Sequence, residues 1–194
     1  MTSALGQELA RLGVSLSPEI ESKLSIYLKE LEHWNRRMNL TSLVGRLLVK
    51  RLVVDPCWIG QQLQMSGTIV DLGSGNGSPG IPLYLGCKLE RAHLVEARLK
   101  RSAFLRHVAS CLKDENIVVH RFRLEDMPAA PAANWITLQG VKPVPSVIHA
   151  LRRLFPSTTR VVWITSGDFP LPGSSGIFVP ESNTVVRLIQ LDQF

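Results

Sequence analysis

Between residues 68 and 85 the chain changes character twice in quick succession, and this narrows its fold more than any other stretch. Thr68-Ile69-Val70-Asp71-Leu72 is a short apolar run rich in β-branched residues, which suits a buried strand. Gly73-Ser74-Gly75-Asn76-Gly77-Ser78-Pro79-Gly80 follows, and then the apolar Ile81-Pro82-Leu83-Tyr84-Leu85. The order predicts a strand, a tight glycine loop and a helix. A strand that hands over to a helix in this way is half of a βαβ unit, whose parallel sheet needs helices on both faces.

The rest of the chain repeats the alternation. Strands are predicted over 92–95, 117–120, 135–138 and 161–165, with helices over 99–113 and 147–155. Phe104, Val108 and Cys111 or Leu112 fall on the inner face of the first of these helices. Near the end, 176–179 and 185–189 read as two strands with a short link, close enough for an antiparallel pair. A loop is expected over 170–175. Upstream of the glycine loop the pattern is helical. Leu5, Leu9 and Leu12 share one face, and Ser17-Pro18 supplies an N-cap and a proline at the first helical position. Ile20, Leu24, Tyr27, Leu31, Trp34 and Met38 then follow at spacings of four and three, with Trp34 read as core. The expectation is an α/β Rossmann-like fold with a mostly parallel seven-stranded sheet and an antiparallel C-terminal hairpin. Residues 1–60 are expected to form an N-terminal helical extension and 61–194 one compact domain.

Hydrophobic residues make up 45% of the 194-residue chain and charged residues 20%, which suits a globular protein rather than a disordered or membrane-spanning one. The start of the chain lacks a basic segment followed by an apolar one, so no secretory leader is expected and the cytoplasm is the expected compartment. The three cysteines, Cys57, Cys87 and Cys111, form no CxxC pair, and the five histidines show no metal-ligand spacing. No metal is therefore expected, and Cys57 reads as structural. The net charge of +6 suits a polyanionic partner such as RNA.

The glycines at 73, 75 and 77 let backbone N–H groups approach a ligand with no side chain in the way. Glu96, at the end of the next strand, can accept both ribose hydroxyls of an adenosine-type cofactor. The glycine spacing is not GxGxxG. Asp71, just before the loop, would repel a pyrophosphate but attract an ammonium group. S-adenosylmethionine carries an ammonium and no phosphate, so it is the cofactor expected, and a nicotinamide-dependent oxidoreductase is disfavoured. The other reading of Asp71 is a carboxylate that caps the loop. Arg98, Lys100, Arg101 and Arg106 follow Glu96. Cations at a helix start oppose its dipole, so they either meet phosphates or form a solvated face. Arg36 and Arg37 carry the same two readings.

Several segments together resemble one family. Trp34-Asn35-Arg36-Arg37-Met38-Asn39-Leu40-Thr41 is similar to the WNxxxNLT segment of the RsmG (GidB) family. The stretch from Asp71 through Gly73, Ser78 and Gly80 to Leu83 resembles its DxGSGxGxPGIPL loop. Lys100-Arg101-Ser102-Ala103-Phe104-Leu105-Arg106 resembles its KRxxFLR helix, and Arg123-Leu124-Glu125-Asp126 its RxEE-like segment. The resemblance implies a class I methyltransferase fold and transfer of a methyl group to guanine N7 in small-subunit (16S) ribosomal RNA. A monomer that acts on RNA or the small ribosomal subunit is expected. It also implies cofactor contacts at Gly73, Ser78, Leu124 and Glu125, with Glu96 as the acid after the second strand and Arg123 among the RNA-facing cations.

The chain departs from the family pattern at Gln139-Gly140, where an Arg-Ala pair is usual, at Ser78, where a bulky residue is usual, and at Leu52 and Asp55-Pro56. Gln139 can hydrogen-bond a base edge or the cofactor but supplies no positive charge. Guanine N7 carries a free lone pair and no proton, so its methylation needs alignment rather than a general base. This agrees with the absence of an obvious acid–base pair and leaves no catalytic residue assigned. The alternatives are an RNA-binding or regulatory paralogue that has lost turnover, and a small-molecule methyltransferase.

Overall fold

The structure is a computed structural model that describes residues 4–166, 171 and 173–193. Part of the loop expected over 170–175 therefore lies outside the described residues. In chain order the elements are α1 (Ala4–Arg11), α2 (Pro18–Met38), α3 (Gly45–Val49), a π-helical turn (Lys50–Val54), α4 (Asp55–Gln62), β1 (Ser66–Leu72), α5 (Gly80–Gly86), β2 (Lys88–Val95), α6 (Leu99–Leu112), β3 (Ile117–His120), β4 (Trp135–Gln139), α7 (Pro145–Leu154), β5 (Arg160–Ser166), β6 (Ser175–Phe178) and β7 (Thr184–Gln190).

The seven strands form one sheet in the order β3-β2-β1-β4-β5-β7-β6. Strands β1 to β5 pair in parallel, and β7 runs antiparallel between β5 and β6. The expected hairpin is therefore present, with β7 inserted beside β5 and β6 left at the edge. Strand order reverses direction at β1, with β2 on one side and β4 on the other. The crevice outside the C-terminal ends of strands at such a point is where open α/β sheets bind ligands.

The pleat of the sheet divides the core in two. On β1, Ile69 faces a cluster shared with α2, α4, α5 and α6, whereas Val70 and Leu72 face a cluster shared with Val147 and Leu151 of α7. Leu5, Leu9, Leu24, Tyr27 and Leu31 from the first two helices join the same cluster as Ile69 and Leu94. α2 begins as the sequence requires, with the Ser17 hydroxyl accepting the Ile20 amide at 3.3 Å. It ends at Asn39, whose left-handed backbone closes the helix. β2 starts four residues earlier than expected. Its first half, Lys88-Leu89-Glu90-Arg91, buries only Leu89, so the apolar signal there is too thin to read. Among the described residues no helix is long and apolar enough to cross a membrane.

Candidate functional site

The glycine loop leaves β1 and turns at once toward β2. The amides of Gly73 and Ser74 both donate to the Val95 carbonyl, at 2.9 and 3.0 Å. Three loop glycines have positive φ: 78° at Gly73, 51° at Gly75 and 93° at Gly77. This is backbone that side-chain-bearing residues avoid. The Ser74 hydroxyl donates to the Asp71 carbonyl at 2.8 Å and closes the turn from within.

Glu96 ties this loop to the following strand and helix. It is 6% exposed. One carboxylate oxygen accepts the Gly75 amide at 3.0 Å, and the other accepts the Arg98 amide at 2.7 Å. Each oxygen has two lone pairs, so both keep an acceptor position after these bonds are made. The carboxylate lies on the wall of a crevice of about 360 Å³. Leu72, Val95, Leu138, Val141 and Val147 give this crevice apolar walls, and Gly73, Glu96, Arg98, Phe122, Arg123, Leu124 and Glu125 complete its lining. An apolar slot with a buried carboxylate at one side fits a purine nucleoside, whose ring stacks and whose hydroxyls donate. Gly73 is exposed to it, so the loop backbone there is open to a ligand.

Asp71 lies off the crevice lining. Its side chain points to the opposite face of β1 from Leu72 and is 1% exposed. Oδ1 accepts the Thr137 hydroxyl at 2.7 Å across the β1–β4 pairing. Oδ2 is enclosed beside Gly80 with no hydrogen bond of good geometry. Burial pushes the carboxyl up to about 6, against the opposing hydrogen bond from Thr137. Alternation along the strand is the physical reason for this placement: Leu72 takes the crevice side and Asp71 the opposite one. Asp71 braces the loop from beneath, nearer to the capping reading.

Other expected site residues divide in the same way. Gly75 meets Glu96, whereas Gly77 faces inward, where a Cβ would lie 2.7 Å from Ile81, 3.2 Å from Tyr27 and 3.3 Å from Leu105. Ser78 is 7% exposed with its hydroxyl enclosed and unpartnered, and its amide donates to Asn76 Oδ1 at 3.0 Å. It is not on the crevice lining. Leu124, Glu125 and Arg123 are on that lining. Gln139 is not. It lines an adjoining crevice of about 610 Å³ with Arg51, Lys142, Ile164 and Thr165, and the two hollows share Val141. Lys100 is exposed, and Arg101 is half-buried with its guanidinium beside Gly75. Arg36 and Arg37 are exposed in the last turn of α2, away from either lining.

Sequence reasoning assigns no site role to three residues that shape the site. Phe122 is 41% exposed on the crevice rim between two arginines, and an aromatic flanked by cations was a readable signal. Thr137 is a polar residue between the apolar Ile136 and Leu138 in mid-strand, which marks a buried partner. Tyr27 donates to the Asn76 carbonyl at 3.1 Å from the helical segment, and helical periodicity alone gives no sign of that.

Comparison with known proteins fits this architecture. The model of the family described as GidB, rRNA small subunit methyltransferase G, matches residues 20–168. The chain belongs to this family. A GidB relative from Klebsiella pneumoniae subsp. pneumoniae, named ribosomal RNA small subunit methyltransferase G, is 35% identical over 133 residues, 68% of this chain and 63% of that protein. The match thus spans less than two thirds of that relative. The protein of the same name from Pectobacterium atrosepticum is 30% identical over 176 residues, covering 88% of this chain and 82% of the relative.

Solved structures of low sequence identity share the fold. A mutant of MtNAS in complex with S-adenosylmethionine superposes with a TM-score of 0.60 at 13% identity, over 89% of this chain and 74% of that one. The mitomycin 7-O-methyltransferase MmcR gives a TM-score of 0.62 at 10% identity, over 96% and 70%. The fold is the class I, Rossmann-like methyltransferase fold, as the sequence implied.

Proposed function

We propose that this chain binds S-adenosylmethionine in the Glu96 crevice and transfers its methyl group to guanine N7 of small-subunit ribosomal RNA. The observation that carries the reading is the Glu96 carboxylate. It joins the glycine loop to the start of α6 at the point where strand order reverses, and it lines a purine-sized slot with acceptor capacity to spare. Membership of the GidB family, whose members are named for ribosomal RNA methylation, supplies the substrate class.

The cofactor brings an electrophilic methyl group on a sulfonium. The chain's own part is to bind, orient and exclude water. Glu96 accepts the ribose hydroxyls, and Leu72, Val95, Leu138 and Leu124 enclose the purine. The backbone at Gly73 admits the rest of the ligand without steric hindrance. Asp71 and Thr137 hold the loop from below and do not meet the ligand. The adjoining crevice beside Gln139, Arg51 and Lys142 receives the acceptor base. The shared wall at Val141 supports this reading, since an in-line displacement needs the base and the cofactor in adjacent spaces. Arg51 and Lys142 in the adjoining crevice, Arg98 and Arg123 on the Glu96 crevice, and Lys100 and Arg101 in the first turn of α6 suit the phosphates of RNA. Arg36 and Arg37 extend the basic surface along α2. The reading includes residues 61–194 as the cofactor-binding domain with 1–60 as its helical extension, acting as a cytoplasmic monomer.

The test is incubation with methyl-labelled S-adenosylmethionine and unmethylated small ribosomal subunits, followed by mapping of the modified base. Label at a guanine N7 is expected, together with binding of S-adenosylhomocysteine that falls at least about tenfold in Glu96→Ala, the loss of two charge-assisted bonds. Cofactor binding without transfer to RNA would refute the substrate. Undiminished binding by the variant would refute the site.

A further inference from the structure

Away from the crevice, three side chains with metal-binding chemistry converge where α2 crosses α6. Glu30 comes from α2, and His107 and Cys111 come from successive turns of α6. His107 Nε2 lies 2.8 Å from Glu30 Oε2 and 3.4 Å from Cys111 Sγ. The three donor atoms all lie within 4.8 Å of one another. We propose that Glu30, His107 and Cys111 bind a divalent transition-metal ion, with zinc the best match to the donor set. The proposal is independent of the methyl-transfer reading.

The spacing of His107 and Cys111 puts both on one face of the helix, one turn apart. Neither residue belongs to a sequence motif, and Glu30 is far away in the chain, so only the packing of α2 on α6 assembles the set. The arrangement is not a Cys–His–acid relay. A relay needs the acid on one ring nitrogen and the thiol on the other. Here the carboxylate and the sulfur both face Nε2, which carries at most one proton and can donate it to only one of them. A cation at the common focus bonds all three at once.

The distances suit that occupant. Tetrahedral zinc with bonds of about 2.0–2.3 Å sets its ligand atoms roughly 3.3–3.8 Å apart. The His107–Cys111 separation is already there, the Glu30–His107 separation is about half an ångström short, and Glu30 and Cys111 lie within 4.8 Å of each other, so small side-chain adjustments bring the three donors onto one ion. One nitrogen, one sulfur and one oxygen form a borderline-soft set that favours zinc over magnesium or calcium. The site is partly open: the His107 side chain is 42% exposed and that of Glu30 21%. An ion can therefore enter and keep water as its fourth ligand. The Trp34 ring packs on His107 with centroids 5.3 Å apart and fixes the imidazole orientation. Burial and the nearby Glu30 charge hold the Cys111 thiol above its ordinary pKa. A bound cation reverses that balance, and the Cys111 proton leaves to solvent as the sulfur–metal bond forms. An ion here would clip α2 to α6, the two helices that enclose Gly77 of the glycine loop.

Cobalt(II) is the probe, since its thiolate complexes absorb by charge transfer and zinc displaces it. Titration of the intact, reduced chain is expected to give a thiolate-to-cobalt band that saturates at one ion per chain and disappears on adding zinc. C111S is expected to lose the band, and H107A and E30Q to weaken binding while keeping a thiolate signal. Saturating zinc is expected to raise the Tm of the unmodified chain by at least about 2 °C and to leave that of C111S unchanged. Cys57 and Cys87 provide the internal control: a band that survives in C111S would come from them and would overturn the proposal. A chain that takes up no cobalt at several-fold excess would overturn it as well.

Discussion

Gly75 and Gly77 stand two residues apart in one loop, yet they are glycine for different reasons. At Gly75 a Cβ would lie no nearer than 3.6 Å to any neighbour, so only the left-handed φ of 51° opposes a side chain. At Gly77 the φ of 93° is further from the region that other residues tolerate, and Ile81, Tyr27 and Leu105 close in on the missing Cβ. Gly75→Ala is expected to cost about 1 kcal/mol from backbone alone, and Gly77→Ala at least about 2 kcal/mol more from crowding. Urea unfolding of the two variants measures the difference, and equal losses would contradict this division of roles. Asp71 gives a prediction in pH. Its folded carboxyl is pushed up to about 6 from the ordinary 3.8. The folded chain thus retains a proton that the unfolded chain has released. The stabilisation is full below about pH 4 and is lost as the pH rises to about 6, by up to about 3 kcal/mol. Asp71→Asn is expected to flatten unfolding free energy against pH in that window. An unchanged slope would mean that the carboxyl is not held up by burial.

Among the elements, α2 does most to fix the glycine loop without touching the crevice. Tyr27 is fully buried, and its hydroxyl donates to the Asn76 carbonyl. Trp34, two turns on, packs on Phe104 and His107 of α6. The loop is thereby held between a helix that precedes it and one that follows it. Tyr27→Phe keeps the ring and removes only the hydrogen bond, so it is expected to cost about 1 kcal/mol and leave a carbonyl unpaired. Tm is expected to fall by about 2–4 °C. Affinity for S-adenosylhomocysteine is expected to fall several-fold, because the loop is less well ordered before binding. Calorimetry on both proteins checks this, and unchanged affinity alongside a lowered Tm would show that the brace serves stability alone.

At the scale of the molecule, polar contacts join the first helices to the last strands. Arg11 and Arg46 both reach Glu181, and Arg46 also pairs with Glu8 at 2.6 Å. Arg51 hydrogen-bonds the Ser182 hydroxyl. Beneath them Lys50, 4% exposed, pairs with Asp55 at 2.6 Å and donates to the Pro180 carbonyl at 3.0 Å. The π-helical turn that begins at Lys50 precedes α4, which begins at Asp55. Burial raises the Asp55 carboxyl above its ordinary range even with Lys50 beside it, so the pair is sensitive to loss of either partner. Lys50→Ala is expected to cost about 3–5 kcal/mol, most of it from the carboxylate left alone. The Lys50→Ala/Asp55→Ala double variant is expected to recover part of that loss. Chemical unfolding of both variants tests the coupling, and a double variant no more stable than Lys50→Ala would dismiss it.

The amino-acid pattern alone determined the parallel sheet, the glycine turn, Glu96 as the strand-terminal acid and the family, because each is written in neighbouring residues: β-branched runs, glycine spacing, a capping Ser17-Pro18. Which way Asp71 points was settled by strand alternation against a packed α5. The separation of Gln139 from the Glu96 crevice was settled by where β4 ends relative to Val141. Glu30, His107 and Cys111 meet only because α2 lies across α6. Such contacts join residues distant in the chain, and local periodicity records which face of an element is apolar but not what that face will meet.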